Sequence, residues 1–342
     1  MRLKTLSQQV IVITGATSGI GLTTARMAAS RGARLVLAAR AEQALQDLED
    51  QMRQRGAEVL VVPTDVGSKD EVKALAQAAI KRFGRIDTWV NNAGVSIFGR
   101  IEDVSEDDAH RLFQTNFWGV VNGSTEAVKH LRKEGGALIN LGSEVSEAAV
   151  PLQGMYVASK HAVKGFTDAL RMELEKEGAP ISVTLVKPAA IDTMFTVHAK
   201  NYMDVEPKLP PPIYAPELVA EAILDAAQNP KRDVYVGGAA KANAVGAFHL
   251  PRLFDKMGET QMWEQQRSKK PSRWLRRDAL HSPDEKAELQ QRLGMGDVAE
   301  TSPYTRVTRS KPLRYALLGG GVLAAAAWML SRQNGTGEQK NS

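Results

Sequence analysis

Short apolar runs alternate with longer stretches of helical periodicity from Val10 to about Gly238, and few architectures accept that pattern. The runs are Val10–Ile13, Leu35–Ala39, Val59–Val62, Thr88–Val90, Ala137–Leu141, Ser182–Val186 and Val234–Val236. They are rich in β-branched residues and continuous rather than alternating, as strands covered on both faces must be. The intervening stretches 20–31, 41–55, 69–83, 106–133, 155–177 and 216–229 repeat apolar residues near 3.6. Strand–helix alternation predicts an α/β fold of Rossmann type: a doubly wound parallel sheet of about seven strands with helices on both faces.

The 342 residues are long enough for one large domain with appendages. There is no cysteine. That excludes a disulfide scaffold, thiol catalysis and a thiolate zinc site, and no metal site is expected. The chain opens without a signal peptide pattern. Residues 1–240 are near charge balance, and the excess behind the net charge of +5 lies in 241–342. A basic tail of this kind reads first as a solvated extension, with no specific nucleic-acid partner.

Val10–Ile13 runs into Thr14-Gly15-Ala16-Thr17-Ser18-Gly19-Ile20-Gly21 and then into a helix. A strand, a glycine-rich turn and a helix N-terminus make an anion site, since free N–H groups and the helix dipole both favour negative charge. Glycines let the backbone approach a pyrophosphate. The spacing GxxxGxG predicts a dinucleotide loop built from Gly15, Thr17, Ser18, Gly19, Ile20 and Gly21. The second strand ends Ala38-Ala39-Arg40. An acid there would bond the ribose 2′-OH of NAD, but a guanidinium suits a 2′-phosphate, so NADP(H) is expected over NAD(H).

Tyr156 and Lys160 stand four apart, on one face of a helix. A nearby cation lowers a phenol's pKa, which makes the pair a candidate general acid/base. Ser143 follows the fifth strand, at the edge where doubly wound sheets bind ligands, and can bond a carbonyl oxygen. Asn91-Asn92-Ala93-Gly94 ends the fourth strand, within reach of a cofactor. Asn116 lies in the 106–133 helix and, if buried, needs polar partners.

Together these residues resemble the shorter subfamily of short-chain dehydrogenases/reductases over about residues 7–238. TGxxxGIG, NNAG, the helical Asn, the Ser and YxxxK all occur in family order. The resemblance implies a catalytic set of Asn116, Ser143, Tyr156 and Lys160. Tyr156 would exchange the proton with a carbonyl or alcohol oxygen, Lys160 would hold the nicotinamide ribose, Ser143 would orient the substrate and Asn116 would hold a relay water. It also implies cofactor contacts from Asp65, Val66, Asn92, Ala93, Gly94, Pro188, Ile191 and Thr193, and a homodimer or homotetramer paired through 106–133 and 155–177. Ala189 departs from the family's usual Pro-Gly, which bears on the backbone of the loop that follows.

Beyond Thr193 the resemblance implies a substrate lid, about 194–216. Its Met194, Phe195, Val197, Tyr202, Met203 and Leu209–Tyr214, with 148–152 opposite, suit an apolar carbonyl or alcohol substrate. The expected organisation is a catalytic domain over 1–240, a polar, basic, partly helical extension over 241–312, an apolar segment over 313–332 and a polar tail over 333–342. The uncharged run 315–330 would reach about 24 Å as a helix, short of a ~30 Å hydrocarbon core. It is a candidate membrane contact for an otherwise cytoplasmic protein. Three other readings stay open: a cofactor-binding sensor or scaffold, a membrane-tethered interaction protein with little turnover, and an isomerase or dehydratase that retains its cofactor.

Overall fold

A seven-stranded parallel sheet forms the centre of the computed structural model, which describes residues 2–273 and 275–309. Its strands are β1 (Val10–Thr14), β2 (Arg34–Ala39), β3 (Val59–Pro63), β4 (Thr88–Asn91), β5 (Gly136–Leu141), β6 (Ile181–Pro188) and β7 (Asp233–Val236). Their order across the sheet is 3-2-1-4-5-6-7. The chain reverses direction between β3 and β4, which opens a crevice at the carboxyl ends of β1 and β4.

Both faces of the sheet are covered, which explains the unbroken apolar runs. On one face Ile11, Ile13, Leu35 and Leu37 pack with Leu22, Leu45 and Ile223. On the other, Val10, Val12, Val36 and Trp89 pack with Leu75, Leu131 and Leu174. Full burial of one such side chain contributes about 1.5–3 kcal/mol.

The helices that matter for the site are α1 (Gly19–Ser30), α2 (Glu42–Gln54), α3 (Lys69–Phe83), α4 (Glu106–Phe113), α5 (Gly119–Glu134), α6 (Gly154–Lys176), α7 (Pro216–Ala226), α8 (Gly238–His249) and α9 (Pro251–Met257). The stretch 106–133, expected as one helix, is two. A single π-helical turn, Gln114–Trp118, separates α4 from α5 and carries Asn116. Such turns are rare and concentrate where a side chain must be re-aimed.

The segment after Gly238 continues over the domain. It carries strands that its sequence pattern did not announce: Arg267–Pro271 pairs antiparallel with Val205–Pro207, and Val298–Ala299 pairs parallel with Ile213–Tyr214. The chain up to Ser302 forms one unit, and Pro303–Arg309 is a helix of a second. Among the described residues no helix is long and apolar enough to cross a membrane. The 313–332 segment, the candidate membrane contact, lies outside the described residues.

Candidate active site

The glycine loop is locked onto the end of β4. The Asn92 side chain donates to the carbonyl oxygens of Thr14 (2.9 Å) and Gly15 (3.0 Å). The Thr14 hydroxyl accepts from the N–H groups of Asn92 and Ala93. Gly21 faces this junction so closely that a Cβ there would lie 2.0 Å from the Gly15 oxygen. No side chain fits, which gives the third glycine of the loop a packing reason. Gly15 has φ +64°, in the left-handed region, and would clash with Ala93 as well. Ser18 caps α1 in extended conformation without a side-chain cap bond.

Below the loop, a buried amide network braces the sheet. Trp89 donates to Asn91, and Asn91 donates to Asn140 (2.8 Å) and to Ser124. Asn140 donates onward to Thr167 on α6. Buried polar groups joined this completely fix the relative setting of β4, β5 and α6.

α6 delivers Tyr156 and Lys160 to the mouth of the crevice, both buried. The Lys160 ammonium donates to the Leu141 carbonyl oxygen at 2.8 Å and lies 5.8 Å from the centre of the Tyr156 ring. Ser143 lines the same cavity as Tyr156, and its hydroxyl acts to lower the phenol's pKa. Phe195 meets the Tyr156 ring edge-on, centroids 5.3 Å apart. The Asn116 oxygen accepts from the Val95 N–H at 2.8 Å, and its NH2 donates to the Val95 carbonyl and to the Ser159 hydroxyl. Asn116 and Lys160 both flank Gly94.

Electrostatics here are governed by burial. Burial raises the Tyr156 phenol above its ordinary range; the Ser143 hydroxyl opposes this and Glu144 adds to it. The expectation from the sequence that Lys160 lowers this phenol is not what dominates: burial does. Burial also brings Lys160 down to about 8. Taking charge out of water penalises the phenolate and the ammonium alike, so each neutral form is favoured.

Sequence reasoning missed Glu144. It follows Ser143 into the cavity, and burial pushes its carboxyl up to about 7 against a 2.9 Å hydrogen bond from Asn243 of α8. Its partner comes from the far end of the fold, so no local signal marked it.

The loop, Tyr156 and residues of the 194–216 segment share one cavity of about 460 Å³. At the nucleotide end it is lined by Gly15, Thr17, Ser18, Gly19 and Ile20, with Arg40, Asp65, Val66, Asn92, Ala93 and Gly94. Pro188, Ile191 and Thr193 line it beside Lys160. Every expected site residue except Gly21 and Asn116 therefore faces one space. Those two pack directly behind it. Ala189 needs no left-handed backbone, since the only non-glycine residues with positive φ among those described are Leu152, Leu289 and Asp297. Val145, Val150, Leu209, Met257 and Met262 make the cavity's other end apolar. The two methionines come from the C-terminal segment.

Arg40 is where the sequence puts it, but it already has partners. It donates to the backbone carbonyls of Leu280 (3.0 Å), His281 (3.2 Å) and Ala279. Asp65 is held by Arg111 at 2.6 Å and accepts from the Gly67 N–H. Among the described residues no group of three or more His, Cys, Asp or Glu could hold a metal.

Residues 9–203 match the family described as short chain dehydrogenase. The chain belongs to that family. An uncharacterized oxidoreductase, YxnA of Bacillus subtilis, is 46% identical over 96% of this chain and 92% of its own. 11-beta-hydroxysteroid dehydrogenase A of Sesamum indicum is 39% identical over 55% of this chain and 54% of its own. Among solved structures, a short chain dehydrogenase/reductase of Burkholderia phymatum in complex with NAD aligns with TM-score 0.65 at 29% identity, covering 74% of this chain and 96% of that one. An alcohol dehydrogenase of Thermococcus sibiricus complexed with 5-hydroxy-NADP aligns with TM-score 0.58 at 29% identity, covering 66% of this chain and 94% of that one. The protein is thus an oxidoreductase of the short chain dehydrogenase family.

Proposed function

We propose that this oxidoreductase interconverts a carbonyl and a secondary alcohol on an apolar substrate, using NADP(H), with Tyr156 as general acid/base. The observation that carries the reading is the convergence of Ser143, Tyr156 and Lys160 on the cavity that also contains the glycine loop. The loop fits a pyrophosphate because its glycines leave no room for side chains and α1 presents its N-terminus there. The Arg40 guanidinium at the end of β2 supports the NADP(H) form.

A bound nicotinamide supplies the hydride. The chain's own residues handle the proton. Tyr156, kept protonated by burial, gives its proton to the carbonyl oxygen in the reducing direction. Ser143 orients that oxygen. Lys160 holds the ribose hydroxyls and steadies the phenolate that forms. Asn116 fixes the backbone at Val95 and flanks the relay route beside Gly94.

Apolar walls from the lid and the C-terminal segment support a hydrophobic ketone, and the hydroxysteroid dehydrogenase named among the relatives agrees in kind. A homodimer or homotetramer through α4–α5 and α6 is part of the proposal. Trp118, at the π-turn between α4 and α5, and Met172 of α6 lie exposed (49% and 64%).

The test is NADPH oxidation against a panel of apolar ketones, with Tyr156→Phe as control. Turnover that falls by about 10²–10⁴ in the variant supports the assignment. Equal rates for the two proteins would remove Tyr156 from the chemistry.

A further inference from the structure

Residues 279–292, far outside the strand–helix core, lie across the nucleotide end of the cavity. The Gly19 N–H donates to the Gln290 carbonyl oxygen at 2.9 Å, and the Leu289 N–H donates to the Thr17 carbonyl oxygen at 2.8 Å. Arg40 is bonded to the carbonyls of Ala279, Leu280 and His281. Glu288 lines the cavity, and its carboxyl is raised in pKa chiefly by burial. One carboxyl oxygen, Oε2, is buried without a hydrogen-bond partner. Leu289 sits at φ +59°, which a leucine rarely adopts. The crossing is fastened from outside the cavity. Gln291 bonds Arg26 (2.8 Å) and Thr23 (3.1 Å) of α1, and Arg292 bonds Glu217 of α7 at 2.7 Å.

These contacts use the donors a dinucleotide phosphate needs: an N–H at the start of α1 and the guanidinium after β2. Backbone carbonyl oxygens accept from both. We propose that 279–292 is an autoinhibitory strap. Its backbone carbonyls occupy the cofactor's anion-binding groups, and the dinucleotide binds only after displacing it. The proposal rests on reading the loop as the dinucleotide site, but not on which cofactor form is preferred. When the competent state is a fraction of the population, apparent affinity falls by that fraction. Loosening the strap must therefore tighten cofactor binding. A strap that clasped bound cofactor would give the opposite sign.

The experiment compares full-length wild type with the double variant Gln291→Ala/Arg292→Ala, whose changed side chains lie outside the cavity. NADPH binding is followed by its fluorescence, and amide exchange over 279–292 is followed in the wild type with and without NADPH. The expected result is a Kd lowered by about fivefold in the variant, faster association, and faster strap exchange in the wild type once NADPH is bound. A Kd that is unchanged or raised in the variant overturns the strap while leaving the dinucleotide site in place. Strap exchange slowed by NADPH overturns it without reliance on any variant. Failure of both proteins to bind NADPH or NADH overturns the dinucleotide reading, and the strap with it.

Discussion

Lys160 reaches past the Tyr156 ring, 5.8 Å from its centre, to donate a 2.8 Å hydrogen bond to the carbonyl of Leu141. The ammonium is thus held between the phenol and the end of β5, in a site dry enough to bring its pKa to about 8. That value sets a pH dependence. Below about 8 the cation is present and can stabilise the phenolate left when Tyr156 gives up its proton. As pH rises through 8 the cation is lost. We expect kcat/KM for reduction to be level through neutral pH and to fall above about 8. Lys160→Arg, which stays charged, should move that fall to higher pH at a lower overall rate. The pH–rate profiles of the two proteins check this, and a wild-type profile level to pH 10 would exclude the role.

Glu144 makes a prediction about stability. Its carboxyl titrates near 7 in the folded chain, against an ordinary value of 4.5. Between those values the unfolded chain has released the proton and the folded chain keeps it. Linkage then makes stability fall as pH rises from about 4.5 through 7. Glu144→Gln keeps a polar side chain facing Asn243 and removes the titration. The variant's Tm relative to wild type should be higher at pH 8 than at pH 5. A constant difference across that range would show that Glu144 ionises as it does in water.

Arg40 should separate the two cofactor forms. Arg40→Ala removes a charge-assisted partner for a 2′-phosphate, an effect of about 1.5–3 kcal/mol, or roughly 10–100-fold in KM for NADPH. KM for NADH should change far less, and in the direction of tighter binding if the strap loosens with the loss of its three carbonyl contacts. Steady-state kinetics with both cofactors decide it. Equal losses for NADPH and NADH would assign Arg40 to the strap alone.

The sequence by itself determined the parts of this protein whose physics is local. Continuous β-branched runs can only be strands buried on both faces, and the seven-stranded sheet follows from their alternation with helices. Three glycines between a strand and a helix leave a backbone pocket wherever they occur. Tyr156 and Lys160 share a face because four residues is about one helical turn. The tertiary structure decided what depends on distant chain segments meeting. It broke the 106–133 helix with a π-turn to aim Asn116 at Val95, paired Glu144 with Asn243, and set burial against Lys160 in fixing the Tyr156 proton. It also laid 279–292 over the glycine loop, with Arg40 bound to oxygens 239 to 241 residues away. Those partners are backbone carbonyls, which every residue carries, so no side-chain pattern in the sequence could have marked them.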